Sequence, residues 1–167
     1  MARVTDATEA HLPGILDILN HMIRHTDAIW TEMEWGMSEM KEWFDARCHA
    51  GYPVLVALEG DEVLGYCSYA QFRTKDGYRH SMEHTVYVAH GYQNRGIGDL
   101  LLSELIKRAQ GNGVHVLIAG IDSANEGSIR FHQRHGFTEV GRLPQVGIKH
   151  GRWLDLVFLQ LLIQRTI

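Results

Sequence analysis

The chain has few of the residues that are typical of disulfide-bonded or membrane-spanning proteins. Among its 167 residues are two cysteines, Cys48 and Cys67, and they do not form a C-x-x-C pair. No apolar run reaches the roughly 18–20 residues of a membrane helix, and the first ten residues lack the apolar segment of a signal peptide. We therefore expect two free thiols, a cytoplasmic location and no membrane partner.

Positively charged residues are outnumbered, because 16 Lys and Arg face 20 Asp and Glu and the formal net charge is −4. Nucleic acid is therefore not an expected partner, and an anionic ligand must be held by local features such as a helix N-terminus or well-placed arginines. The 11 histidines include pairs three or four residues apart, but none lies in an H-E-x-x-H pattern or beside a cysteine pair. We expect no metal site.

Hydrophobic periodicity predicts one α/β domain over residues 1–167, with a mixed sheet and helices on its faces. The expected order is one strand, two helices, three strands, a helix, a strand, a helix and two strands. The predicted strands are residues 3–7, 53–58, 63–70, 85–88, 114–121, 138–145 and 153–162. The predicted helices begin at Thr8, at a capping Ser38, after Gly98 and after Asn125, and a loop covers residues 25–37.

A glycine-rich turn follows the predicted strand 85–88 and opens the third helix. It reads Gln93-Asn94-Arg95-Gly96-Ile97-Gly98, which is a Q-x-x-G-x-G spacing. Unpaired N–H groups at a helix start point at an anion, and glycines let a ligand approach the backbone closely. The spacing differs from the G-x-G-x-x-G of dinucleotide sites and from the P-loop. The turn therefore predicts a phosphate-binding site of another kind.

A second motif begins the fourth helix. Asn125 is followed by Ile129, Phe131, His132 and then Gly136-Phe137. The two motifs together resemble those of the GNAT N-acetyltransferases. Many members of that superfamily have a tyrosine where this chain has His132, and that tyrosine protonates the leaving thiolate.

Further segments narrow the resemblance to the phosphinothricin and methionine-sulfoximine N-acetyltransferases. They are Trp30 with Glu32, Gly51-Tyr52-Pro53, Tyr78-Arg79, Val86-Tyr87-Val88 and the stretch from Gly147 to Asp155. The resemblance implies a mixed sheet whose two central strands splay apart to admit acetyl-CoA. It also implies a homodimer, in which residues 149–153 reach towards the site of the partner subunit.

By the same resemblance, the donor acetyl-CoA binds to one set of residues. The pyrophosphate lies on the turn and the pantetheine lies along the preceding strand. The expected donor-binding residues are Val86, Tyr87, Val88, Gln93, Asn94, Arg95, Gly96, Ile97, Gly98 and Asn125.

The acceptor is expected to be the α-amino group of a small amino acid or of a toxic analogue: methionine sulfoximine, methionine sulfone or phosphinothricin. A base must remove its proton, since a free α-amino group has a pKa of about 8. Glu83 and His132 are the candidates, and which one acts stays open. Arginine suits a carboxylate. The resemblance implies that the acceptor binds to Trp30, Arg73, Thr74, Lys75, Glu83, His84 and Thr85, although a solvated loop residue is the preferred interpretation of Lys75.

Two other functions fit the same residues. One is acetylation of a peptide N-terminus or a polyamine. The other is an acetyl-CoA sensor without turnover, against which the presence of Glu83 and His132 argues.

Overall fold

A computed structural model describes residues 1–163, and all seven of their strands belong to one sheet. The spatial order is β1-β2-β3-β4-β5-β7-β6. Strands β4 and β5 are parallel, and every other neighbouring pair is antiparallel. The strands are β1 (Arg3–Asp6), β2 (Val54–Glu59), β3 (Glu62–Gln71), β4 (Ser81–Val88), β5 (Val116–Asp122), β6 (Thr138–Lys149) and β7 (Arg152–Leu162).

Four α-helices cover the two faces of this sheet. They are α1 (Leu12–His25), α2 (Met37–His49), α3 (Ile97–Gly111) and α4 (Glu126–Arg134). One hydrophobic core lies under α1 and α2, and a second lies under α3 with residues of α4 packed against it. The predicted α/β class, element order and helices on both faces are confirmed. None of the helices within residues 1–163 is long and apolar enough to cross a membrane.

Strand β2 shows how the two cores are divided. Leu55 and Ala57 belong to the core under α3, whereas Val54, Val56 and Leu58 belong to the core under α1 and α2. Successive side chains of a strand point to opposite faces, so a strand covered on both sides is a continuous apolar run. The helices supply matching apolar faces, such as Ile15, Leu19 and Ile23 on α1.

The sheet is forked between its two central strands. Pairing of β4 with β5 extends only from Ser81–Val116 to Glu83–Ile118. Beyond that point β4 continues to Val88 against β3, and β5 continues to Asp122 against β7. The two strands therefore part while each keeps its outer neighbour, which confirms the predicted splayed sheet.

Two predicted helix starts were wrong. Helix α2 begins at Met37 rather than after Ser38, because Gly36 is its N-cap and Glu39 Oε2 accepts the Gly36 N–H. Helix α1 begins at Leu12, after a 3-10 turn over Glu9–His11, and not at Thr8.

Two strand bounds also differ from the prediction. Strand β4 starts at Ser81, so Glu83 lies inside it. Strand β6 runs to Lys149 rather than ending at 145, and Lys149 is fully buried. Residues 164–167 of the predicted domain lie outside the described residues.

Candidate active site

A cavity of about 460 Å³ opens where β4 and β5 part. Its walls come from the unpaired ends of these two strands, the start of α3, one side of α4, and Met22 and Ala28 near the end of α1. Most of the predicted donor residues line it, namely Val86, Tyr87, Val88, Gln93, Asn94, Gly96, Gly98 and Asn125, and so does Thr85 of the predicted acceptor set.

The N-terminus of α3 faces this cavity without a side-chain cap. Its N-cap is Gly96, which has a φ of 77°, a value that costs glycine little. The first backbone bond of the helix runs from Leu100 N to Gly96 O at 3.1 Å. The N–H groups of Ile97, Gly98 and Asp99 therefore precede the helical ladder, and with the helix dipole they form a site for an anion.

The side chains of this turn mostly shape it. Gln93 Oε1 accepts the Gly91 N–H at 2.8 Å. Asn94 has a φ of 61°, in the left-handed region that asparagine tolerates better than most residues. The guanidinium of Arg95 lies 5.1 Å from the ring centre of Tyr92 and is exposed. The backbone of the turn is thus the more direct candidate for contact with phosphate.

Asn125 caps α4. Its Oδ1 accepts the Ser128 N–H at 3.1 Å, so the residue begins the helix and also lines the cavity. The same helix brings Arg130 and Arg134 to the cavity wall. These two arginines add positive charge near the α3 N-terminus.

The two predicted catalytic residues lie on opposite faces of β4. Alternation puts Glu83, Thr85 and Tyr87 towards α1 and α2, and His84, Val86 and Val88 towards α3. His132 contacts the second face through His84. Glu83 and His132 therefore approach the fork from different sides of the sheet.

Glu83 lies at the last position of β4 that pairs with β5. Its Oε2 is near Gly120 of β5, since a Cβ added there would lie 3.1 Å from that oxygen. Burial raises the pKa of the Glu83 carboxyl, and the charge of Arg73 lowers it by a smaller amount. The outcome is a carboxyl that holds its proton more readily than an exposed glutamate.

His132 is buried on α4, and its Nδ1 lies 2.8 Å from the Ser128 carbonyl oxygen. Burial lowers the pKa of His132, and the nearby His135 lowers it further, although the Ser128 carbonyl raises it. His84, on β4, lies in the same pocket and is also buried. Both imidazoles line the large cavity.

The remaining predicted acceptor residues lie outside the large cavity. Arg73, Thr74 and Lys75 are exposed in the β3–β4 connection, and Gln71 Nε2 donates to the carbonyls of Arg73 and Lys75. Trp30 packs over Gly147 of β6, where an added Cβ would overlap its ring, and its Nε1 donates to the Asp27 carbonyl. The fork thus gathers Glu83, His84 and Thr85, while Arg73 acts on Glu83 through its charge.

Several residues of the cavity are absent from the sequence-based prediction, among them Gly120, Asp122, Ser128, Arg130 and Arg134. Gly120 carried a usable signal, because an isolated glycine inside an apolar strand suggests close approach of another group. Asp122 and Ser128 had no such signal. Their position follows from the fork and from the start of α4.

Within residues 1–163 no group of three or more His, Cys, Asp or Glu side chains is arranged to hold a metal ion. The two cysteines are free, with Cys48 exposed and Cys67 buried. Burial raises the pKa of the Cys67 thiol, which makes it a poor nucleophile. The chemistry available at the fork is therefore that of a carboxyl group and two imidazoles beside an anion site.

Two curated relatives match nearly the whole chain. An L-methionine sulfoximine/L-methionine sulfone acetyltransferase of Pseudomonas paraeruginosa is 48% identical over 166 residues, covering 99% of this chain and 96% of its own. A phosphinothricin N-acetyltransferase of Streptomyces coelicolor is 35% identical over 161 residues, covering 95% and 94%.

Two solved structures share the fold closely. A ribosomal-protein-alanine N-acetyltransferase from Brucella melitensis is 47% identical with a TM-score of 0.95, covering 96% of this chain and 99% of that one. An acetyltransferase from Salmonella typhimurium, solved with its cofactor acetyl-CoA, is 43% identical with a TM-score of 0.96, covering 100% and 96%. The predicted resemblance is confirmed.

The family model of the acetyltransferase (GNAT) family matches residues 19–137, which include the forked strands, the uncapped α3 and the Asn125 helix. The chain therefore belongs to the GNAT family of acetyltransferases.

Proposed function

We propose that the protein transfers an acetyl group from acetyl-CoA to the α-amino group of a small amino acid or of an analogue such as methionine sulfoximine, methionine sulfone or phosphinothricin. The observation that carries the proposal is the fork after Glu83–Ile118, which brings the uncapped start of α3 and the Glu83 carboxyl to the same break in the sheet. The names of the two curated relatives support the acceptor class.

The donor side of the proposal uses backbone groups of α3 and β4. The N–H groups of Ile97 and Gly98, with those of the preceding turn, bind the pyrophosphate, and Arg95 adds charge. Val86, Tyr87 and Val88 have no backbone pairing to β5, so their peptide groups can pair with the pantetheine amides. Gln93, Asn94 and Gly96 shape the turn, and Asn125 contacts the pantetheine.

For the chemical step we assign Glu83 as the base. The amine nitrogen attacks the thioester carbonyl carbon, its proton passes to Glu83, and the C–S bond breaks to release the thiolate. Glu83 is favoured over His132 because Glu83 lies on the face of β4 that also carries Thr85 and Tyr87, opposite the face that His132 contacts through His84. We assign protonation of the thiolate to His132, which lies on the donor side with His84.

The acceptor carboxylate is assigned to Arg73. A planar guanidinium grips a carboxylate with two hydrogen bonds, and Gln71 holds the backbone of this segment. Thr74, Lys75, His84 and Thr85 complete the acceptor site, and Trp30 closes it from the α1–α2 loop. Because Arg73 also acts on Glu83, the carboxylate and the amine of one amino acid can be held at the same place.

We further propose a homodimer that works in the cytoplasm. Strand β6 is an edge strand of the sheet, and the hairpin of β6 and β7 exposes Val140, Leu143, Val146, Ile148 and Trp153. Exposed apolar side chains on a long sheet edge favour burial against another chain. Light scattering of Val146→Lys and Ile148→Lys should give a monomer where the parent chain gives a dimer.

The main experiment is release of free CoA from acetyl-CoA with a panel of amino acids. The proposal expects turnover of methionine sulfone, methionine sulfoximine or phosphinothricin, and Glu83→Gln should lower kcat and remove the acid limb of its pH profile. No thiol release with any amino acid would refute the acceptor class.

A second candidate is acetylation of a peptide N-terminus, because a structure with 47% identity has the name of a ribosomal-protein-alanine N-acetyltransferase. A peptide lacks the carboxylate next to its amine. Arg73→Ala should raise KM for an amino acid and leave KM for an Ala-starting peptide unchanged. Turnover of the peptide alone would establish this candidate.

A further inference from the structure

A second, smaller cavity of about 170 Å³ lies between the α1–α2 layer and strands β3 and β4. Its walls are mostly apolar and aromatic, formed by Leu19, Ile29, Trp35, Met40, Trp43, Tyr66 and Tyr87. Drug-sized ligands occupy cavities of roughly 300–1,000 Å³. A cavity of this size suits one small side chain instead.

The two cavities meet at Thr85 and Tyr87, which line both of them. Thr85 is two residues from Glu83 on the same face of β4. A group whose amine is at Glu83 can therefore extend its side chain along β4 into the second cavity.

The wall formed by Trp35 is firmly fixed. Asn20 of α1 bonds both backbone groups of Trp35, with its Nδ2 donating to Trp35 O and its Oδ1 accepting Trp35 N–H, each at 2.8 Å. This pair of bonds ties the α1–α2 loop to α1. The cavity is thus bounded by fixed side chains rather than by a loose loop.

Arg47 of α2 is the cationic residue of this otherwise uncharged lining. Its guanidinium lies 5.2 Å from the ring centre of Trp43, and its Nη1 donates to Ser68 Oγ at 3.1 Å. The Ser68 hydroxyl in turn donates to the Pro53 carbonyl at 2.7 Å. These contacts hold the guanidinium in one orientation.

No carboxylate within residues 1–163 forms an ion pair with Arg47, and the titratable groups near its guanidinium are the phenols of Tyr52 and Tyr66. A guanidinium has five N–H donors, and Ser68 uses one of them. Arg47 is partly buried, and a cation that is removed from water without an acceptor is destabilised. A ligand oxygen at this place would satisfy donors that the protein leaves open.

We propose that Arg47 binds the side-chain oxygens of the acceptor amino acid, and that the acceptor side chain ends in a sulfone or sulfoximine. This inference rests on the proposed function. The aromatic and aliphatic walls contact the methylene and methyl groups, and the guanidinium donates hydrogen bonds to the S=O oxygens. A plain thioether of the same length fills the cavity but offers Arg47 no oxygen as a hydrogen-bond acceptor. Arg47 therefore makes the enzyme selective for the oxidised side chain.

The test uses methionine sulfone and methionine, which differ only by two oxygens on sulfur. The parent chain is expected to prefer the sulfone in kcat/KM. Arg47→Met should lower kcat/KM for the sulfone about 10- to 100-fold, as loss of a charged hydrogen bond does, and should leave methionine within about threefold. Lys41→Met is the matched control, because it removes an exposed cation from the same helix.

A second variant and a binding measurement distinguish loss of the Arg47 contact from misfolding. Ser68→Ala keeps Arg47 but removes its anchor and should lower the sulfone-to-methionine ratio by a smaller factor. The rise in Tm caused by methionine sulfone should be lost in Arg47→Met and kept in Lys41→Met.

The outcomes separate the two proposals. An unchanged sulfone-to-methionine ratio in Arg47→Met, with both substrates slowed alike, would overturn the role of Arg47 while the proposed function stands. A lack of turnover with every amino acid would overturn the proposed function itself.

Discussion

The Nε2 atom of His84 lies 3.0 Å from the Nε2 atom of His132, and the Phe137 ring packs against both imidazoles. The Ser128 carbonyl can only accept a hydrogen bond, so Nδ1 of His132 carries hydrogen. In the neutral ring its Nε2 is then an acceptor, and His84 supplies the hydrogen between the two rings. His84 Nδ1 is a buried atom without a hydrogen-bond partner in the described part of the chain.

This pair predicts that the protein loses stability in mild acid. Burial, with help from the nearby His132, lowers the pKa of His84 to about 3 from its ordinary 6.5. Between these two values the unfolded chain binds a proton that the folded chain does not, so stability is full above pH 6.5 and falls as the pH drops towards 3. The expected loss from this group is about 1.4 kcal/mol per pH unit below 6.5.

Urea unfolding at a series of pH values from neutrality to about pH 5 measures this slope. His84→Gln keeps an N–H donor near His132 but does not titrate, so the slope should become shallower. His49→Gln, at an exposed position, is the control. An equal slope in His84→Gln and the parent chain would show that His84 does not resist protonation.

A second prediction concerns the charge of Arg73. That charge lowers the pKa of Glu83, against the larger raising effect of burial. Arg73→Ala should therefore raise the pKa of Glu83, and the acid limb of kcat/KM should move to higher pH. Arg73→Lys keeps a positive charge and should move the limb less, although it loses the planar grip on a carboxylate and raises KM.

Steady-state kinetics across the pH range measures both effects. If the acid limb stays in place in Arg73→Ala, Glu83 is not the base that the limb reports. His132→Gln then becomes the next variant to measure.

The sequence predicted the fold and the two motifs whose residues line the cavity, because their signals are local. The Gln93–Gly98 turn and the Asn125 helix are each continuous stretches, and strand β5 is an apolar run. The pairing of His84 with His132 joins residues that are 48 apart in the sequence, so no local motif predicts it. The Arg47 cavity likewise gathers side chains from four elements and a loop, and α2, which carries Arg47, has no continuous apolar stripe.

A third prediction follows from the contact of Glu83 with Gly120. A Cβ at position 120 would lie 3.1 Å from Glu83 Oε2 and 3.4 Å from Leu156 Cδ1. Gly120→Ala should displace the carboxyl, the mobile end of a side chain, and leave the backbone in place. We expect kcat to fall about 10- to 100-fold, because small misplacements of a reacting group cost this much, and stability to change by about 1 kcal/mol or less.

Gly141→Ala on β6 is the matched control, because an added Cβ there meets nothing within 4 Å. The rate of CoA release and the free energy of urea unfolding are measured on both variants. A fall in stability that accounts for the lost activity, or unchanged kcat in Gly120→Ala, would contradict the assigned position of Glu83.

The last prediction concerns Lys149, a fully buried lysine at the end of β6. Its Nζ donates to the carbonyls of Ile23, Thr26 and Ile29 at 2.8, 2.6 and 2.7 Å. The three carbonyls belong to the last turn of α1 and the loop after it. A cation at a helix C-terminus also interacts favourably with the helix dipole. The lysine therefore attaches the α1–α2 loop, which carries Ala28 and Trp30, to the sheet.

Lys149→Met keeps the length of the side chain but leaves three carbonyls without their donor. Because unsatisfied buried groups cost about 1–3 kcal/mol each, and the loop can relax towards water, we expect a loss of roughly 3 kcal/mol in urea unfolding. Lys107→Met, at an exposed position on α3, should cost little and is the control. Equal stability of the two variants would mean that water replaces the ammonium at all three carbonyls, and that the loop is held by its apolar contacts alone.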